Sequence, residues 1–552
     1  MPQAGSAGWV STTLMKAAAN PDAVETRSPW APLRTRTFAV VWTASLTGAM
    51  GTWMRDVGAG WLMTSLSPSV TYVALVQVAT SLPIFLLSLP AGALADIVDR
   101  RRSLLWLNAL LAAVACFMGV VAASGGMTPV LLVGSLLLAG VFAALVQPMQ
   151  QSLTPLLVPR AQLRTAVALN GLGFNVARAT GPAIAGVLIA VSGVAITFFL
   201  DALSYAVLFG AFWWWKGASA RASSGPPESL LPAMRAGIRY ALHSVPLQRT
   251  LLRAASFFIY ASALWALLPV IARRQLGGGP GYYGVLLACV GAGAVVGAVA
   301  LPKLRSKIGS EGVMRLGMAA AAGVLLTLAF VKNPLIAAVA MALAGAAWIA
   351  VLTTVNVSAQ TALPDWVRGR GLAVYLTVFY GAMSIGSLLW GAVADAASVA
   401  VSLSMATLTG MLSLVLGFLK PLPAGEADLT PSMHWPDPTV APAMLTSLEA
   451  DRGPVLITVE YLVSPGDIEA FLAAVREFKS ERLRDGAFLW GIYEDTDRPG
   501  RFLEHFLVAS WLEHQRQHRR VSMADADLQA LVVRFHRGTE RPRVEHLIAP
   551  PH

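Results

Sequence analysis

Ionisable side chains are rare inside the long apolar stretches of this sequence, and the few that occur there are the first candidates for chemistry. They are Arg55 and Asp56 in the first stretch (38–65), Arg178 in the fifth (163–192), Asp201 in the sixth (194–215) and Asp395 at the end of the eleventh (368–396). A charge inside a membrane helix costs about 2.5–3.5 kcal/mol on insertion scales, so such residues are functional candidates by default. A buried carboxylate can bind and release a proton, because burial favours its neutral form whereas a nearby cation favours its charged form.

Structural alternatives apply to the same five residues. Asp56, Arg178 and Asp201 could pair with one another and serve only to hold the helices together. Arg55 lies in the outer half of its stretch and Asp395 at the outer end of its own, so both could extend to the membrane surface instead.

A second group with specific spacing is the short loop GALADIVDRRR, from Gly92 to Arg102, between the second and third apolar stretches. Short loops rich in Lys and Arg stay on the cytoplasmic side of a membrane, so the arginines alone would fit any multi-span membrane protein. Gly92 would let a neighbouring helix approach closely. Asp96 could pair with Arg100 or Arg101, or lie at the positive N-terminus of a neighbouring helix.

The fifth stretch contains a third spaced motif, from Ala177 to Gly186. Pro182 removes one backbone hydrogen bond and bends a helix. Gly181 and Gly186 would keep the bent helix close to a partner. The alternative is a kinked, closely packed helix without any further role.

The composition requires most of the chain to lie in lipid. The 552 residues are 56% hydrophobic and only 13% charged, with a mean hydropathy of +0.61, whereas soluble chains are about 25% charged. The net charge of +11 does not indicate nucleic-acid binding, because the basic residues lie in short loops between apolar stretches. Cys116 and Cys289 lie inside apolar stretches, so neither a disulfide framework nor a redox pair is expected.

Twelve apolar runs reach the roughly 20 residues that a bilayer-spanning helix needs. The runs are 38–65, 70–94, 103–123, 128–151, 163–192, 194–215, 251–272, 281–302, 312–331, 334–360, 368–396 and 398–419. Lys and Arg concentrate in alternate loops, since the loops expected outside hold only Arg273, Arg274 and Lys332. We therefore expect an all-α membrane protein with twelve transmembrane helices and both termini in the cytoplasm.

The same pattern divides the chain into six parts. The longest polar break among the runs separates six helices from six, as in folds built from two related halves. The expected parts are a disordered cytoplasmic tail at 1–36, a first half at 37–216, a central cytoplasmic loop at 217–250, a second half at 251–420, a proline-rich linker at 421–452 and a soluble domain at 453–549.

The soluble domain has the pattern of a small α+β fold. Its predicted order, βαββαβ, is the split pattern of ferredoxin-like folds. His514 and His518 have the four-residue spacing of metal ligands on a helix. No third ligand is evident and the neighbouring arginines would repel a cation, so a solvated face is favoured and no metal is expected.

Together these motifs resemble those of the major facilitator superfamily. The order Gly-x-Leu-x-Asp-x-x-x-Arg-Arg resembles its loop 2–3 signature, with Asp99 where a glycine is usual. The motif of the fifth run resembles the Gly-x-x-x-Gly-Pro-x-x-Gly-Gly pattern of exporters that run as antiporters, with Ala177 and Ala185 replacing two glycines. With Arg368 and Arg370 at the start of the eleventh run, the chain resembles the enterobactin-exporter-like, transmembrane secretion effector branch. The soluble domain resembles the dimeric α+β-barrel domains of the antibiotic-biosynthesis monooxygenase type.

The resemblance implies a secondary transporter of the inner (plasma) membrane. It would export a small molecule, such as a siderophore, a drug or another metabolite, in exchange for protons by alternating access, without a cofactor. Asp96 would hold the cytoplasmic ends of the second and eleventh spans together. Proton exchange needs a carboxylate that changes its protonation, for which Asp56 and Asp201 are the candidates and Arg178 is the natural counter-charge.

Several roles are open for the soluble domain. It could bind a ligand or form a homodimer, or it could act as a sensor that regulates transport. The chain could instead be a membrane-anchored monooxygenase-like enzyme, although twelve spans are far more than an anchor needs. We expect a transporter rather than an enzyme, with a small-molecule substrate, protons and the lipid bilayer as its partners and no nucleic acid.

Overall fold

The computed structural model describes residues 28–216, 230–423, 428–432 and 452–550. Up to Leu419 it consists of long helices joined by short connections that include the turns Ala31–Arg34, Thr154–Leu157 and Arg160–Gln162. The helices are α1 (Arg36–Leu66), α2 (Val70–Ile97), α3 (Arg100–Ala123), α4 (Pro129–Gln151), α5 (Leu163–Ser192), α6 (Ala195–Trp214), α7 (Leu230–His243), α8 (Val245–Val270, continued as a π-helix over Ile271–Gln275), α9 (Pro280–Phe330), α10 (Pro334–Thr361), α11 (Arg368–Ala396) and α12 (Val399–Leu419). Most of the expected N-terminal tail and of the linker lies outside the described residues.

Ten of the described helices, α2–α6 and α8–α12, are long and apolar enough to cross a membrane. Helix α1, which contains Arg55 and Asp56, is not among the ten. Helix α9 spans 51 residues and consists of two helices that meet at Gly309, where φ is +70° and ψ is 173°, so it contains both of the runs predicted at 281–302 and 312–331. Glycine adopts a positive φ readily because it has no Cβ, so one residue makes the turn for which a loop was predicted. A mostly helical, multi-pass membrane protein is thereby confirmed.

Helices α2 and α11 pack against each other in opposite directions. Their contacts recur every seven residues, a period that keeps one side of a helix facing its partner. The pairs are Ala74 with Gly391, Ser81 with Ser384 (Oγ to Oγ, 2.7 Å) and Ser88 with Thr377 (Oγ to Oγ1, 2.6 Å). This seam joins the first six helices to the last five.

Asp395 secures one end of this seam. Its carboxylate accepts hydrogen bonds from the backbone N–H groups of Val70 at 2.6 Å and Thr71 at 3.0 Å, and from the hydroxyl of Ser69. A carboxylate is favoured at a helix N-terminus because unpaired N–H groups and the helix dipole are both positive there. Asp395 therefore caps α2 and does not extend to the membrane surface.

The soluble domain is a four-stranded antiparallel sheet with helices packed on one face. The strands are β1 (Val455–Leu462), β2 (Ala487–Glu494), β3 (Arg501–Val508) and β4 (Arg543–Ile548), in the order β2-β3-β1-β4. The helices are α13 (Ile468–Asp485), α14 (Trp511–Arg520) and α15 (Met523–Val533), with a short turn at Pro465–Asp467 before α13. The core is made by alternate residues of β1 together with Phe471 and Phe478 of α13, all nearly inaccessible to solvent. The helix predicted at 512–535 is two helices, because Ser522 starts a new one with a capping box to Asp525.

Helix α7 lies in the stretch predicted as a central loop, and it joins the membrane helices to the soluble domain. The hydroxyl of Tyr240 donates to the carbonyl of Ala362, just after α10, at 3.0 Å. On the other side, Arg239 Nη2 lies 3.1 Å from Oε1 of Glu513 in α14. In α14, the Arg520 guanidinium also lies 4.5 Å from the centre of the Trp366 ring, between α10 and α11.

Candidate functional site

Helices α1 and α6 touch because α1 has glycines where they meet. A Cβ on Gly51 would lie 2.2 Å from Ser204 Oγ, and a Cβ on Gly58 would lie 2.1 Å from Thr197 Oγ1. Arg55 lies four residues after Gly51 and three before Gly58, so all three share one face of α1. The glycines therefore bring the face that carries Arg55 against α6.

The guanidinium of Arg55 holds two carboxylates inside the helix bundle. Nη1 lies 3.3 Å from Asp201 Oδ2, and Nη2 lies 3.0 Å from Asp56 Oδ1. Arg55 is 5% exposed and Asp201 is 0% exposed, whereas the Asp56 side chain is 34% exposed. Asp201 Oδ1 has no hydrogen-bond partner within the described ranges. These three residues, the Arg55 group, carry one negative charge in excess when ionised, and one proton would neutralise them.

This arrangement corrects the predicted counter-charge. Within the described part of the chain, Arg178 forms no ion pair with Asp56 or Asp201, and its Nη2 donates to Asn175 Oδ1 at 3.1 Å on the same helix. Arg55 takes the place predicted for Arg178 in this conformation, because the glycine contact between α1 and α6 puts Arg55 beside Asp201. The spacing of Gly51 and Gly58 around Arg55 was the available signal. Arg55 is also buried, so it does not extend to the membrane surface.

Arg178 instead lies beside an aromatic side chain of α1. Phe174 and Gly181, one turn to either side of Arg178 on α5, both contact Trp53: the rings of Phe174 and Trp53 are 6.3 Å apart, and a Cβ on Gly181 would lie 2.9 Å from Trp53 Cβ. Arg178 is 7% exposed, and its Nε has no partner among the described residues. Arg178 is therefore a buried cation whose hydrogen-bond acceptor among the described residues is the neutral side-chain amide of Asn175. Burying a cation without an anionic partner costs folding free energy, which indicates that Arg178 has a functional role.

Aromatic rings of both halves meet next to Trp53. The ring of Trp265 lies 6.4 Å from that of Trp53 and 5.3 Å from that of Trp348, and Phe258 lies 4.3 Å from Phe379. The indole N–H of Trp265 is buried without an acceptor in the described ranges. With Phe174, these residues form the aromatic cluster. Clustered aromatic side chains beside a few polar groups without hydrogen-bond partners are typical of small-molecule sites. Sequence analysis did not identify the cluster because its members come from five helices.

The motif of the fifth run forms close helix contacts. Pro182 lies inside α5, and Gly181 abuts α1 through Trp53, as described. A Cβ on Gly186 would lie 2.8 Å from the Cα of Gly284 in α9. The two glycines therefore let α5 approach α1 in its own half and α9 in the other half.

The loop 2–3 motif is described only in part, because the side chain of Asp96 lies outside the described residues. Arg100 is the first residue of α3. Arg101 binds the end of α6: Nε donates to the carbonyl of Phe212 at 3.1 Å and Nη2 to that of Trp213 at 2.8 Å. A cation is favoured there because the last carbonyls of a helix are unpaired and negative.

Two other residues of this loop are Gly92 and Asp99. Among the described residues, none outside the adjacent part of α2 lies within 4 Å of a Cβ built on Gly92, so they show no close helix approach of the kind predicted there. Asp99 is the N-cap of α3, where its Oδ1 accepts a hydrogen bond from the N–H of Arg102 at 2.9 Å. The aspartate that replaces the usual glycine therefore starts a helix.

The two arginines at the start of α11 have different surroundings. Arg368 Nη2 lies 2.7 Å from Asp365 Oδ1, with the side chains 50% and 87% exposed, and such exposed pairs contribute little to stability. Arg370 is in contact with α7, since a Cβ on Gly237 would lie 2.9 Å from Arg370 Cβ. Arg370 therefore lies where α7 meets the helix bundle.

The soluble domain holds three neighbouring histidines, of which the sequence indicated two. His514 and His518 face each other on α14, with their Nε2 atoms 3.2 Å apart. His546 of β4 completes a set whose ligand atoms all lie within 4.8 Å of one another. This third histidine was not evident from the sequence, because it is the strand pairing that brings β4 close to α14. Burial, His518 and His546 together lower the pKa of His514 to about 3, so this ring is neutral at neutral pH.

Comparison with known proteins agrees with the helical architecture. A family profile described as transmembrane secretion effector matches residues 27–551. The chain is similar to the staphyloferrin A transporter of Staphylococcus aureus, with 26% identity over 354 residues that cover 63% of this chain and 86% of that protein. It is also similar to the multidrug efflux pump Tap of Mycobacterium tuberculosis, with 26% identity over 410 residues that cover 70% of this chain and 94% of that protein.

Solved transporter structures share the fold. The nucleoside transporter NupG aligns with a TM-score of 0.57 and 13% identity, over 70% of this chain and 100% of that one. The POT family transporter PepTSo aligns with a TM-score of 0.58 and 12% identity, over 70% and 97% of the two chains. The family and these relatives are transporters, in agreement with the expectation that the chain is not an enzyme. The chain belongs to the transmembrane secretion effector family of the major facilitator superfamily and is a multi-pass secondary transporter.

Proposed function

We propose that this chain exports a small molecule across the plasma (inner) membrane in exchange for protons, by alternating access. The observation that carries the proposal is the Arg55 group, in which Asp56 and Asp201 share one guanidinium. An exchanger needs an acid that is neutral in one state and charged in another. Asp56 is accessible enough to receive a proton from water, whereas Asp201 is fully buried.

The proposed topology has twelve crossings, six in each half. Helix α9 contributes two, because its break at Gly309 separates 280–308 from 310–330. Helix α1 contributes one, because Arg55 is paired with acids and not exposed to lipid as a lone charge. By the rule that loops rich in Lys and Arg stay on the cytoplasmic side, this topology has both termini in the cytoplasm. A reporter fused after Lys420 should be active only if it works in the cytoplasm; activity of a periplasmic reporter there would show that the spans are miscounted.

In this topology several polar contacts between the halves lie on the outer side, although α2 and α11 also touch in their cytoplasmic halves, at Ser88 and Thr377. Arg273 Nη1 donates to Thr64 Oγ1 at 2.9 Å, and Arg274 Nη2 donates to the carbonyl of Pro68 at 2.8 Å. Asp395 holds the outer ends of α2 and α11 together, whereas no residue of another described helix lies within 4 Å of a Cβ built on Gly92, near the cytoplasmic end of α2. These contacts support an inward-open conformation, which is one of the two states that alternating access requires.

Asp96 would act at the cytoplasmic side of the same seam. We infer that it joins α2 to the start of α11 when the inner side closes. A charge-assisted hydrogen bond is worth about 1.5–3 kcal/mol. Asp96→Asn should therefore favour the inward-open state and slow export by roughly tenfold or more, while insertion into the membrane stays normal. Export at the normal rate in that variant would remove the gating role.

The aromatic cluster and Arg178 form the proposed substrate site. The rings would stack on planar or apolar parts of the substrate, and the guanidinium would bind an acidic or other acceptor group. A relative named as a staphyloferrin A transporter and another named as a multidrug efflux pump are consistent with a siderophore, a drug or another metabolite as substrate.

Arg178→Gln tests this site. Loss of one charge-assisted bond of about 1.5–3 kcal/mol should raise the KM for export at least about tenfold. The maximal rate should change less, because the Arg55 group is intact. The substrate would be the metabolite that accumulates in cells lacking the chain, and Arg368→Gln, at an exposed arginine, is the matched control. An unchanged KM in Arg178→Gln would make Arg178 a structural residue.

The soluble domain is proposed to be ferredoxin-like and to form a homodimer through its uncovered sheet face. Leu489, Leu507, Leu456 and Leu547 are successive cross-strand partners, so a row of leucines crosses all four strands on that face. Leu489 is 45% and Leu547 52% exposed, and apolar patches of this kind favour burial against a partner. Light scattering should show a dimer of the full chain and a monomer of Leu507→Glu. A monomeric unmodified chain would contradict the proposal.

Regulation of transport is a second candidate role for this domain. It is favoured by α7, which contacts α11 at Arg370 on one side and pairs Arg239 with Glu513 of α14 on the other. A change in α14 could therefore reach the start of α11. Deleting residues 421–552 should alter the export rate; export that is unchanged by the deletion would rule this role out. The membrane-anchored enzyme has no comparable support, because the family match describes a transporter.

A further inference from the structure

His514, His518 and His546 of the soluble domain, the histidine group, converge from two elements, α14 and β4. The Ser510 hydroxyl accepts a hydrogen bond from the N–H of Glu513 and so fixes the first turn of α14. One turn of helix then separates His514 from His518, so their rings project from the same face. Their Nε2 atoms are 3.2 Å apart.

The third ligand comes from β4 through its strand register. His546 pairs with Ile457 of β1, and directly opposite residues in antiparallel strands project to the same side of the sheet. Ile457 is 2% exposed and belongs to the core beneath the helices. His546 therefore projects towards α14, and its ring centre lies 4.8 Å from that of His514.

The distances between the imidazole nitrogens are close to those in the coordination sphere of a small metal ion. Zinc–nitrogen bonds of about 2.0–2.1 Å in a tetrahedral site place any two ligand nitrogens about 3.3 Å apart. His514 and His518 already meet this distance. All three ligand atoms lie within 4.8 Å, so a side-chain rotation of His546 would bring its nitrogen into the same coordination sphere.

Carboxylates lie among the arginines that surround the group. Arg520 Nη1 lies 2.6 Å and Arg516 Nη1 lies 3.8 Å from Glu513, and Arg482 Nε lies 3.1 Å from Glu504. Glu513 and Glu504 therefore offset part of the positive charge near the histidines, although Arg239, Arg516 and Arg520 share the single carboxylate of Glu513. His514 is 2% exposed, and the Trp511 ring lies 5.5 Å from that of His514 and 6.0 Å from that of His546, which shields the site from water.

We propose that His514, His518 and His546 bind a divalent transition-metal ion, with Zn²⁺ as the reference ion. Imidazole nitrogens select Zn²⁺, Cu²⁺, Ni²⁺ or Fe²⁺ over Mg²⁺ and Ca²⁺, which require oxygen ligands. Three protein ligands leave a fourth position for water or another small ligand. Since α14 also carries Glu513, the partner of Arg239, the ion would fix the helix that contacts α7.

The test uses the full chain purified without a histidine tag, treated with a chelator and titrated with Zn²⁺ by calorimetry. The proposal predicts binding of one Zn²⁺ per chain with a Kd in the micromolar range or below. Loss of a supporting group around a metal costs about 10–100-fold in affinity, so loss of a ligand in His546→Ala or His518→Ala should cost at least that. His505→Ala is the matched control, because His505 pairs with Thr458 on the opposite face of the sheet and its ring stacks on Tyr493.

A second readout separates loss of a ligand from loss of the fold. Co²⁺ bound by three imidazoles gives visible absorption bands, and hydrogen exchange of α13, which lacks the ligands, reports whether the domain remains folded. His546→Ala should lose the bands while exchange in α13 is unchanged. The proposal is overturned if the unmodified chain binds no Zn²⁺ below about 100 μM, if His546→Ala binds Zn²⁺ as tightly as the unmodified chain, or if His505→Ala loses as much affinity. It is also overturned if His546→Ala loses the bands only because exchange in α13 becomes fast.

Discussion

Replacing Asp56 by Asn should abolish proton-driven export while the protein still folds and still carries substrate down a concentration gradient. The variant keeps the ion pair between Arg55 and Asp201, whose atoms are 3.3 Å apart, so no buried charge is left without a partner. It removes the excess negative charge, so the Arg55 group no longer gains from binding a proton. Asp56 is also the more accessible of the two acids, with 34% of its side chain exposed.

The experiment compares uphill and downhill movement of one substrate in proteoliposomes with an imposed pH gradient. Uphill export by Asp56→Asn should fall to the level of empty vesicles, while exchange without a gradient stays within about threefold of normal. Asp365→Asn is the matched control, because the side chain of Asp365 is 87% exposed and lies in the loop before α11. Uphill export at the normal rate in Asp56→Asn would show that the acid is structural.

Arg55→Leu should have the largest effect on the folded protein. Removing one member of a buried ion pair costs about 3–5 kcal/mol, because the remaining charge is left without compensation. Here two carboxylates lose their cation: Asp201, which is fully buried, and Asp56, whose side chain is 34% exposed. The variant should therefore accumulate poorly in the membrane and unfold at a lower temperature in detergent than the unmodified chain.

The double variant Arg55→Leu with Asp201→Leu separates stability from coupling. Replacing a whole buried ion pair by apolar residues is often neutral or stabilising. The Asp56 carboxylate that remains is 34% exposed, so this variant should accumulate better than Arg55→Leu and yet fail to export uphill, because Asp56 has lost its counter-charge. A double variant as unstable as Arg55→Leu would mean that packing between α1 and α6, rather than charge, explains the loss. Normal uphill export by the double variant would exclude Arg55 and Asp201 from coupling.

The sequence was sufficient for features that depend on local patterns. Apolar runs of spanning length predict membrane helices wherever they occur, and strand alternation with turn residues located all four strands of the soluble domain. The break at Gly309 lies within the loop predicted between 302 and 312, but that loop was predicted too long, because Ser306 to Glu311 is mostly polar and yet its backbone stays helical except at one glycine. Helix α7 was missed because it follows a polar stretch and is shorter than a membrane span.

Predicting how the site residues pair with one another would have required knowledge of contacts between elements that are distant in sequence. Asp56 and Asp201 were identified because acids in apolar runs are rare, but their partner depended on glycine contacts between α1 and α6. The third histidine depended on the register of β4 against β1. Spacing along the chain shows which residues share a face of one helix, whereas it does not show which helix or strand lies opposite that face.

The most direct measurement is proton release by the purified chain in lightly buffered detergent solution. The substrate added would be the metabolite that accumulates in cells lacking this protein. Exchange through the Arg55 group predicts release of about one proton per chain when the substrate binds, because the neutral group must give up its proton. The release should be absent in Asp56→Asn and unchanged in Asp365→Asn. If Asp56→Asn and Asp201→Asn both release protons as the unmodified chain does, neither acid carries the proton and the charges of the Arg55 group are structural.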